Sequence, residues 1–202
     1  MAGRASKDAA EAERIYLGLV RDYQAAILNF IWRRVGDADL AEDLTQETFV
    51  KAWRALDRLE LGDAHEGRRR AWLYTIAHNS ITDHARRQRR IRWVSLDAIK
   101  EIGGGNPARE VQDRDPLQRA LARLTADQRD VLLLFSHEGL PAEDVARILG
   151  ITPAAARKRR QRAREAFADA WVAIGETVPG GDADDAALER LDPLRTPMDT
   201  PR

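Results

Sequence analysis

Apolar residues recur at steps of three or four along most of this chain, which is the spacing of an amphipathic α-helix. One such stripe predicts a first helix over residues 8–34. A second helix is predicted from Asp37 or Asp39, both good N-caps, to about Asp57, and a third over residues 68–90. The stripe of the first helix consists of Ile15, Leu19, Tyr23, Ile27 and Phe30.

The second half of the chain carries local signals that begin and end shorter helices. Helices resume at Asp115, the residue before a proline. Thr125 and Gln128 have the spacing of a capping box, which predicts a helix from there to about Glu138. Gly139 is then the glycine that ends this helix in a left-handed conformation.

A helix-turn-helix is predicted where two further helices meet at Gly150 and Ile151. Pro141 lies in the first turn of the first helix, while Thr152 caps the second and Pro153 takes its first position. A plain helical hairpin is the simpler alternative. The second helix continues to about residue 173, and one of its faces should pack inward, with the Arg160 head reaching solvent past its packed stem. That face consists of Ala156, Arg160, Ala163 and Phe167.

The chain is therefore predicted to be all-α, with two small helical domains over residues 8–93 and 115–173. Between them, residues 94–114 contain three successive glycines followed by Asn-Pro and are predicted to be a flexible linker. Residues 174–202 are rich in proline, glycine and acids, and are predicted to be a disordered acidic tail.

Composition excludes several classes of protein. With 202 residues and 44% hydrophobic content the chain can build a core, yet no apolar run approaches the ~20 residues of a membrane span. The N-terminus lacks the apolar segment of a signal peptide, so a cytoplasmic location is expected. Without cysteine, thiolate metal sites and thiol catalysis are excluded, and the four histidines match no metal-binding spacing. No cofactor, metal or catalytic residue is predicted, and we expect no enzyme.

The charges sum to zero, with 33 basic and 33 acidic residues, but they lie in blocks. Residues 37–47 hold five acids and no base. Residues 66–92 hold eight arginines against two acids, and residues 157–164 hold six bases and no acid. Residues 176–202 hold seven acids against three arginines. Clustered cations on two separate helical units favour nucleic acid as a partner over merely solvated faces.

Two helices of the first domain have contrasting outer faces. At about 100° per residue, the second helix places its acidic residues opposite its buried stripe, with Val50 and Trp53 among them. Apolar groups on an acidic face indicate a protein-binding surface, unless Trp53 only completes the edge of the core. The third helix carries an amide, a carboxylate and guanidinium groups along one stripe, a combination able to read bases and hold phosphates. Trp72, beside that stripe, is predicted to belong to the core.

Three segments in order resemble a known family, the bacterial RNA polymerase sigma factors. Residues 39–53 (DLAEDLTQETFVKAW) resemble sigma region 2.2, and residues 70–87 (RAWLYTIAHNSITDHARR) resemble regions 2.3 and 2.4. Residues 124–134 (LTADQRDVLLL) and 142–150 (AEDVARILG), followed by an Arg-Ala-Arg, resemble region 4. A short linker in place of a third domain is typical of the extracytoplasmic-function group, also called group 4.

The resemblance implies a role for each of three surfaces. Core RNA polymerase would bind an acidic face made of Asp39, Glu42, Asp43, Gln46, Glu47, Val50 and Trp53. The promoter −10 element would be read by Thr75, Asn79, Asp83, Arg86, Arg87 and Arg90, with a flipped base held near residues 61–67. The −35 element would be read by Thr152, Ala154, Ala155, Arg157, Lys158, Arg159 and Arg162.

The resemblance also implies partners: core polymerase, promoter DNA and an anti-sigma factor that covers the binding faces of a free monomer, with no insertion into a membrane. This chain departs from the family at Lys158, where a hydroxyl is usual, and at Arg160, where an apolar residue is usual. Residues 154–156 are three alanines where Gly-Thr-Val is common, which leaves few side-chain hydrogen-bonding groups at the start of this helix. A stand-alone helix-turn-helix regulator is the alternative, and it predicts a dimer on palindromic sites.

Overall fold

The computed structural model describes residues 2–56, 66–95 and 115–175. Its N-terminal half consists of three long helices, α1 (Ala2–Val35), α2 (Ala38–Ala55) and α3 (Glu66–Ser95). α1 and α3 extend further than predicted, and for α1 the added alanines, arginine and lysine before residue 8 favour helix. The predicted tail from residue 176 on, and most of the linker and the base-holding loop, lie outside the described residues.

The C-terminal half consists of shorter elements. They are α4 (Pro116–Arg123), α5 (Ala126–Leu132), a π-helical turn (Leu133–His137), α6 (Ala142–Leu149) and α7 (Pro153–Ala173). No strand occurs in the part of the chain that the structure describes, and the prediction of an all-α fold is confirmed. None of the described helices is long and apolar enough to cross a lipid bilayer.

The predicted helix caps form. The Thr125 hydroxyl accepts a hydrogen bond from the Gln128 backbone N–H, and the Gln128 side chain accepts one from the Thr125 N–H, which completes the capping box. Asp37 caps α2 by accepting from the Leu40 N–H at 2.9 Å. Gly139 has φ 59°, a left-handed conformation that favours glycine over residues with a Cβ.

Two predicted features of the second half are corrected. The helix after Thr125 does not stay α-helical to Glu138, because its last turn widens into the π-helical turn. Four successive apolar side chains, residues 132–135, are all buried there, more than one face of a regular α-helix presents. Pro141 is the N-cap of α6, with ψ 156°, and therefore precedes the first turn.

One large buried core runs through both halves of the described chain, and a small second cluster around Leu19 and Leu56 lies beside it. α1 packs on α2 and α3, while α7 packs on α4, α5 and α6. The halves also pack on each other, since α3 lies against α6 and α1 lies against the π-helical turn. Fully or almost fully buried residues of this core include Phe30 and Tyr74 from the first half and Leu134, Val145 and Phe167 from the second.

Two buried carboxylates join the halves. Asp130 on α5 accepts from the Arg34 guanidinium of α1 and lies 3.5 Å from Nε2 of His78 on α3. Burial opposes ionisation of Asp130, but the hydrogen bond to His78 and the charge of Arg34 outweigh it and hold the pKa of Asp130 below its ordinary value. This carboxylate is therefore charged at neutral pH.

Glu138 is the second of these carboxylates. It accepts from the Tyr74 hydroxyl, and its Oε2 lies 3.2 Å from the Arg70 guanidinium. Burial raises the pKa of Glu138 above its ordinary value, although Tyr74 and Arg70 act in the opposite direction. Burial and the neighbouring Glu138 charge raise the pKa of Tyr74 well above its ordinary value, so Tyr74 remains the hydrogen-bond donor.

Candidate polymerase- and DNA-binding surfaces

The acidic face of α2 is exposed as predicted. Ala41, Leu44 and Ala52 are buried in the core. Asp39, Glu42, Asp43 and Gln46 all project outward from the same helix and are exposed, and only Glu47 among the predicted polar residues is half-buried. The arrangement gives a negative surface on a helix that is fixed from behind by the core.

Trp53 is part of this outer surface and does not merely complete the core. Its side chain is 47% exposed, and Val50 is similarly exposed at 46%. Its ring makes an edge-to-face contact with Tyr16 of α1, at 5.0 Å between ring centroids. Sequence reasoning missed the contribution of α1, where Tyr16 extends the apolar part of the face through its contact with Trp53.

The predicted −10 stripe lies along α3. Asn79, Arg86, Arg87 and Arg90 are exposed, whereas Thr75 and Asp83 are half-buried. The Thr75 hydroxyl donates to the Ala71 carbonyl at 2.9 Å, so it is already engaged by its own helix. Trp72 is half-buried against Leu19 and Leu56, in agreement with its predicted place in the core.

Asp83 lies between two cations. Its carboxylate is 3.8 Å from Lys51 Nζ on α2 and 3.9 Å from Arg86 on its own helix. Lys51 also donates to the buried Ser80 hydroxyl at 3.1 Å, next to Asn79 in the chain. The −10 stripe is thus tied to α2 by a side chain that the sequence did not single out.

The helix-turn-helix forms at the predicted residues. Gly150 ends α6 at φ 64° and ψ 37°, and the Ile151 N–H donates to the Ala146 carbonyl at 2.9 Å. Thr152 caps α7 by accepting from the Ala155 N–H at 3.2 Å. A tight left-handed turn followed at once by a capped helix fixes the angle between α6 and α7.

The inward face of α7 is buried as predicted at its three apolar residues, and Arg160 is half-buried. Ala156, Ala163 and Phe167 are buried. The Arg160 guanidinium lies over the Phe135 ring at 5.0 Å, and its Nε is buried. The aromatic face thus offers the cation a partner inside the fold, while the exposure of the two terminal nitrogens to solvent stays a prediction.

The outward face of α7 is strongly basic. Arg157 pairs with Glu143 of α6 at 2.9 Å, and Arg159 lies 3.7 Å from Asp127 of α5. Lys158 and Arg162 make no ion pair among the described residues. All four cations are exposed, as are Thr152 and Ala154, while Ala155 is half-buried. The long cations suit phosphates, and the short residues at the helix start leave few groups for base edges.

The described residues contain no group of three histidine, cysteine or acidic side chains placed to hold a metal ion. Two of the buried ionisable side chains, Asp130 and Glu138, pair with arginines of other helices.

Comparison with known proteins assigns both halves of the chain to one family. Residues 19–91 match the model for Sigma-70 region 2, and residues 114–167 match the model for Sigma-70, region 4. The ECF RNA polymerase sigma factor SigC of Mycobacterium tuberculosis is 37% identical over 142 residues, which cover 68% of this chain and 75% of that protein.

Other similar proteins support the same family assignment. The ECF RNA polymerase sigma factor SigL of Mycobacterium tuberculosis is 33% identical over 174 residues, covering 84% of this chain and 96% of that protein. The sigma factor RpoE of Bartonella quintana, solved with the anti-sigma factor NepR, has a TM-score of 0.63 at 29% identity, covering 78% of this chain and 96% of that one. CnrH, solved with the cytosolic domain of CnrY, has a TM-score of 0.57 at 27% identity.

Two sigma regions match in order, and the relatives align over most of their length. This chain therefore belongs to the family of ECF RNA polymerase sigma factors, which act in transcription initiation.

Proposed function

We propose that three separate surfaces of this sigma factor carry out promoter recognition. The acidic face of α2 binds core polymerase, the stripe on α3 reads the −10 element, and the basic face of α7 reads the −35 element. The observation that carries the proposal is the sorting of charge, because an acidic helix and two basic ones each present their charges outward from one shared core. A stand-alone DNA-binding regulator would leave the acidic face without a role.

The proposal extends to organisation and control. Residues 8–93 and 115–173 are the two functional domains, residues 94–114 connect them, and residues 174–202 form an acidic tail. We assign the chain to group 4, acting in the cytoplasm as a monomer when free and performing no covalent chemistry itself. Control by an anti-sigma factor is supported by the similar sigma factor RpoE, which was solved in complex with the anti-sigma factor NepR.

Replacing Asn79 by alanine tests the −10 assignment. We expect Asn79→Ala to weaken −10 readout by about 1–3 kcal/mol, because one side-chain amide can make two hydrogen bonds to a base. The measurement is run-off transcription from the cognate promoter, together with gel filtration against core polymerase, which should be unchanged. Gln88→Ala is the matched control, since Gln88 is another exposed amide about 180° around the same helix. Normal transcription by Asn79→Ala would remove this stripe from the −10 assignment.

Replacing Arg162 by alanine tests the phosphate role of α7. Binding to duplex DNA should weaken by the same factor for every sequence. The slope of log affinity against log salt concentration should become less negative by about 0.9. The control is Arg123→Ala, an exposed arginine of α4 outside the proposed surface. A loss confined to one promoter sequence would instead show that Arg162 contacts a base.

A further inference from the structure

Glu47 belongs to two of the proposed surfaces at once. It lies on the acidic face of α2, yet its carboxylate points towards α3 and pairs with two cations. Oε1 is 2.8 Å from Lys51 Nζ, and Oε2 is 3.3 Å from the Arg87 guanidinium. The hydrogen bond and the charge of Lys51, with a smaller contribution from Arg87, hold the pKa of Glu47 below its ordinary value, so this carboxylate is charged at neutral pH.

Arg87 is one of the four exposed residues of the −10 stripe. While it pairs with Glu47, its charge is partly neutralised and its guanidinium is directed towards α2. Both side chains are partly exposed, at 51% for Arg87 and 32% for Glu47. Exposed pairs of this kind shift an equilibrium by a factor of about 1.5 to 5, which is enough to bias a contact without preventing it.

Lys51 keeps Glu47 in place beside α3. It is one helical turn from Glu47, and the same ammonium group donates to the buried Ser80 hydroxyl. The carboxylate is thus held within reach of Arg87 by a contact anchored in the core.

We propose that Glu47 restrains Arg87 in the free chain, and that core polymerase releases it by pairing a cation of its own with the Glu47 carboxylate. The freed Arg87 then contacts a promoter phosphate. Polymerase binding to the α2 face thus increases the DNA affinity of the −10 stripe. Because such coupling is reciprocal, DNA binding increases the affinity for polymerase by the same factor. The inference rests on the proposed function, because it takes the polymerase role of the α2 face and the DNA role of α3 as given.

The first test measures DNA binding by the full chain without polymerase. The probe is a fluorescently labelled oligo-dT of about 12 nucleotides, titrated at several salt concentrations. We expect Glu47→Gln to bind about threefold more tightly than the wild type, with the salt slope steeper by about 0.7, the value for one more phosphate contact on a single strand. Glu13→Gln makes the same charge change at an exposed site on α1, and should change affinity by less than about 1.5-fold with no change of slope.

A double-mutant cycle measures the coupling between Glu47 and Arg87 separately from the effect of each substitution alone. Arg87→Gln should weaken DNA binding only slightly in the wild-type background, where Arg87 is restrained, and about threefold more in the Glu47→Gln background. At saturating core polymerase the two backgrounds should become equal, because polymerase has then taken the carboxylate. Equal effects of Arg87→Gln in both backgrounds of the free chain would overturn the inference.

Failure of the proposed function looks different. If neither Glu47→Gln nor Trp53→Ala lowers affinity for core polymerase, the acidic face is not the polymerase surface. Polymerase then has no contact through which it could release Arg87. If both lower that affinity while the free-chain cycle shows no coupling, the polymerase assignment stands and only the restraint of Arg87 is refuted.

Discussion

Replacement of Phe30 by alanine is expected to lower the free energy of unfolding by about 3–5 kcal/mol. Phe30 is completely buried in α1 and packs edge-to-face on Tyr74 of α3, with 5.2 Å between ring centroids. The substitution therefore removes the burial of a large apolar side chain, leaves a cavity and deletes an aromatic contact worth about 0.5–1.5 kcal/mol. Urea denaturation followed by circular dichroism gives the measurement.

Leu17→Ala is the control for Phe30→Ala, because Leu17 lies on the same helix and is 58% exposed. It should cost less than about 1 kcal/mol. A similar cost for both substitutions would mean that α1 is not packed on α3 as described. Since one core includes both halves, Phe30→Ala should lower the stability of the C-terminal helices as well.

Replacement of Asp130 by alanine is expected to cost about 3 kcal/mol. The change leaves the Arg34 guanidinium, whose side chain is 16% exposed, without its counter-ion at the junction of the halves. Asp127→Ala is a matched control on the same short helix, because Asp127 is 77% exposed and faces Arg159 only at 3.7 Å. An exposed pair of that kind contributes at most about 1 kcal/mol. A cost for Asp130→Ala no larger than for the control would show that the halves are separate in solution.

The dependence of folding stability on pH gives a second test of Asp130. Because its pKa is lower in the folded chain than in the unfolded one, its contribution to stability is present above about pH 4 and is lost as the pH falls through the folded pKa. Asp130→Ala should therefore lose less stability than the wild type at the acid end of a pH series. Glu138 acts with the opposite sign, since its raised pKa makes the charged form costly, and that cost is relieved as the pH falls towards its ordinary pKa.

The helices, their caps and their outward faces were predictable because each depends on residues close together in the chain. The Thr125–Gln128 capping box spans three residues, and the contrast between Leu44 and Asp43 follows from helical period alone. The helix-turn-helix is local in the same way, with Gly150 and Thr152 as its signals.

The packing of the two halves could not be predicted on the same basis. Arg34 and Asp130 are 96 residues apart, and Tyr74 and Glu138 are 64 apart, so no periodicity relates them. Glu138 follows an apolar run and looks in the sequence like an ordinary helix end. Arg160 interrupts an apolar stripe, but nothing in the sequence shows that it stacks over Phe135. The widened turn after Leu132 likewise has no local signal that distinguishes it from a regular helix.

The shared core also limits where DNA can be bound. α3 packs on α6 and α6 on α7, and neighbouring helix axes lie about 8–10 Å apart, so at these contacts the two proposed DNA-reading helices are separated by no more than about 20 Å. Promoter positions −10 and −35 are about 25 base pairs apart, or about 85 Å along B-DNA. A chain in this arrangement can contact one element but cannot span both. If α3 and α7 read the two elements as proposed, engaging both requires the Arg34–Asp130 and Tyr74–Glu138 contacts to break, so their combined strength sets a free-energy cost for that step.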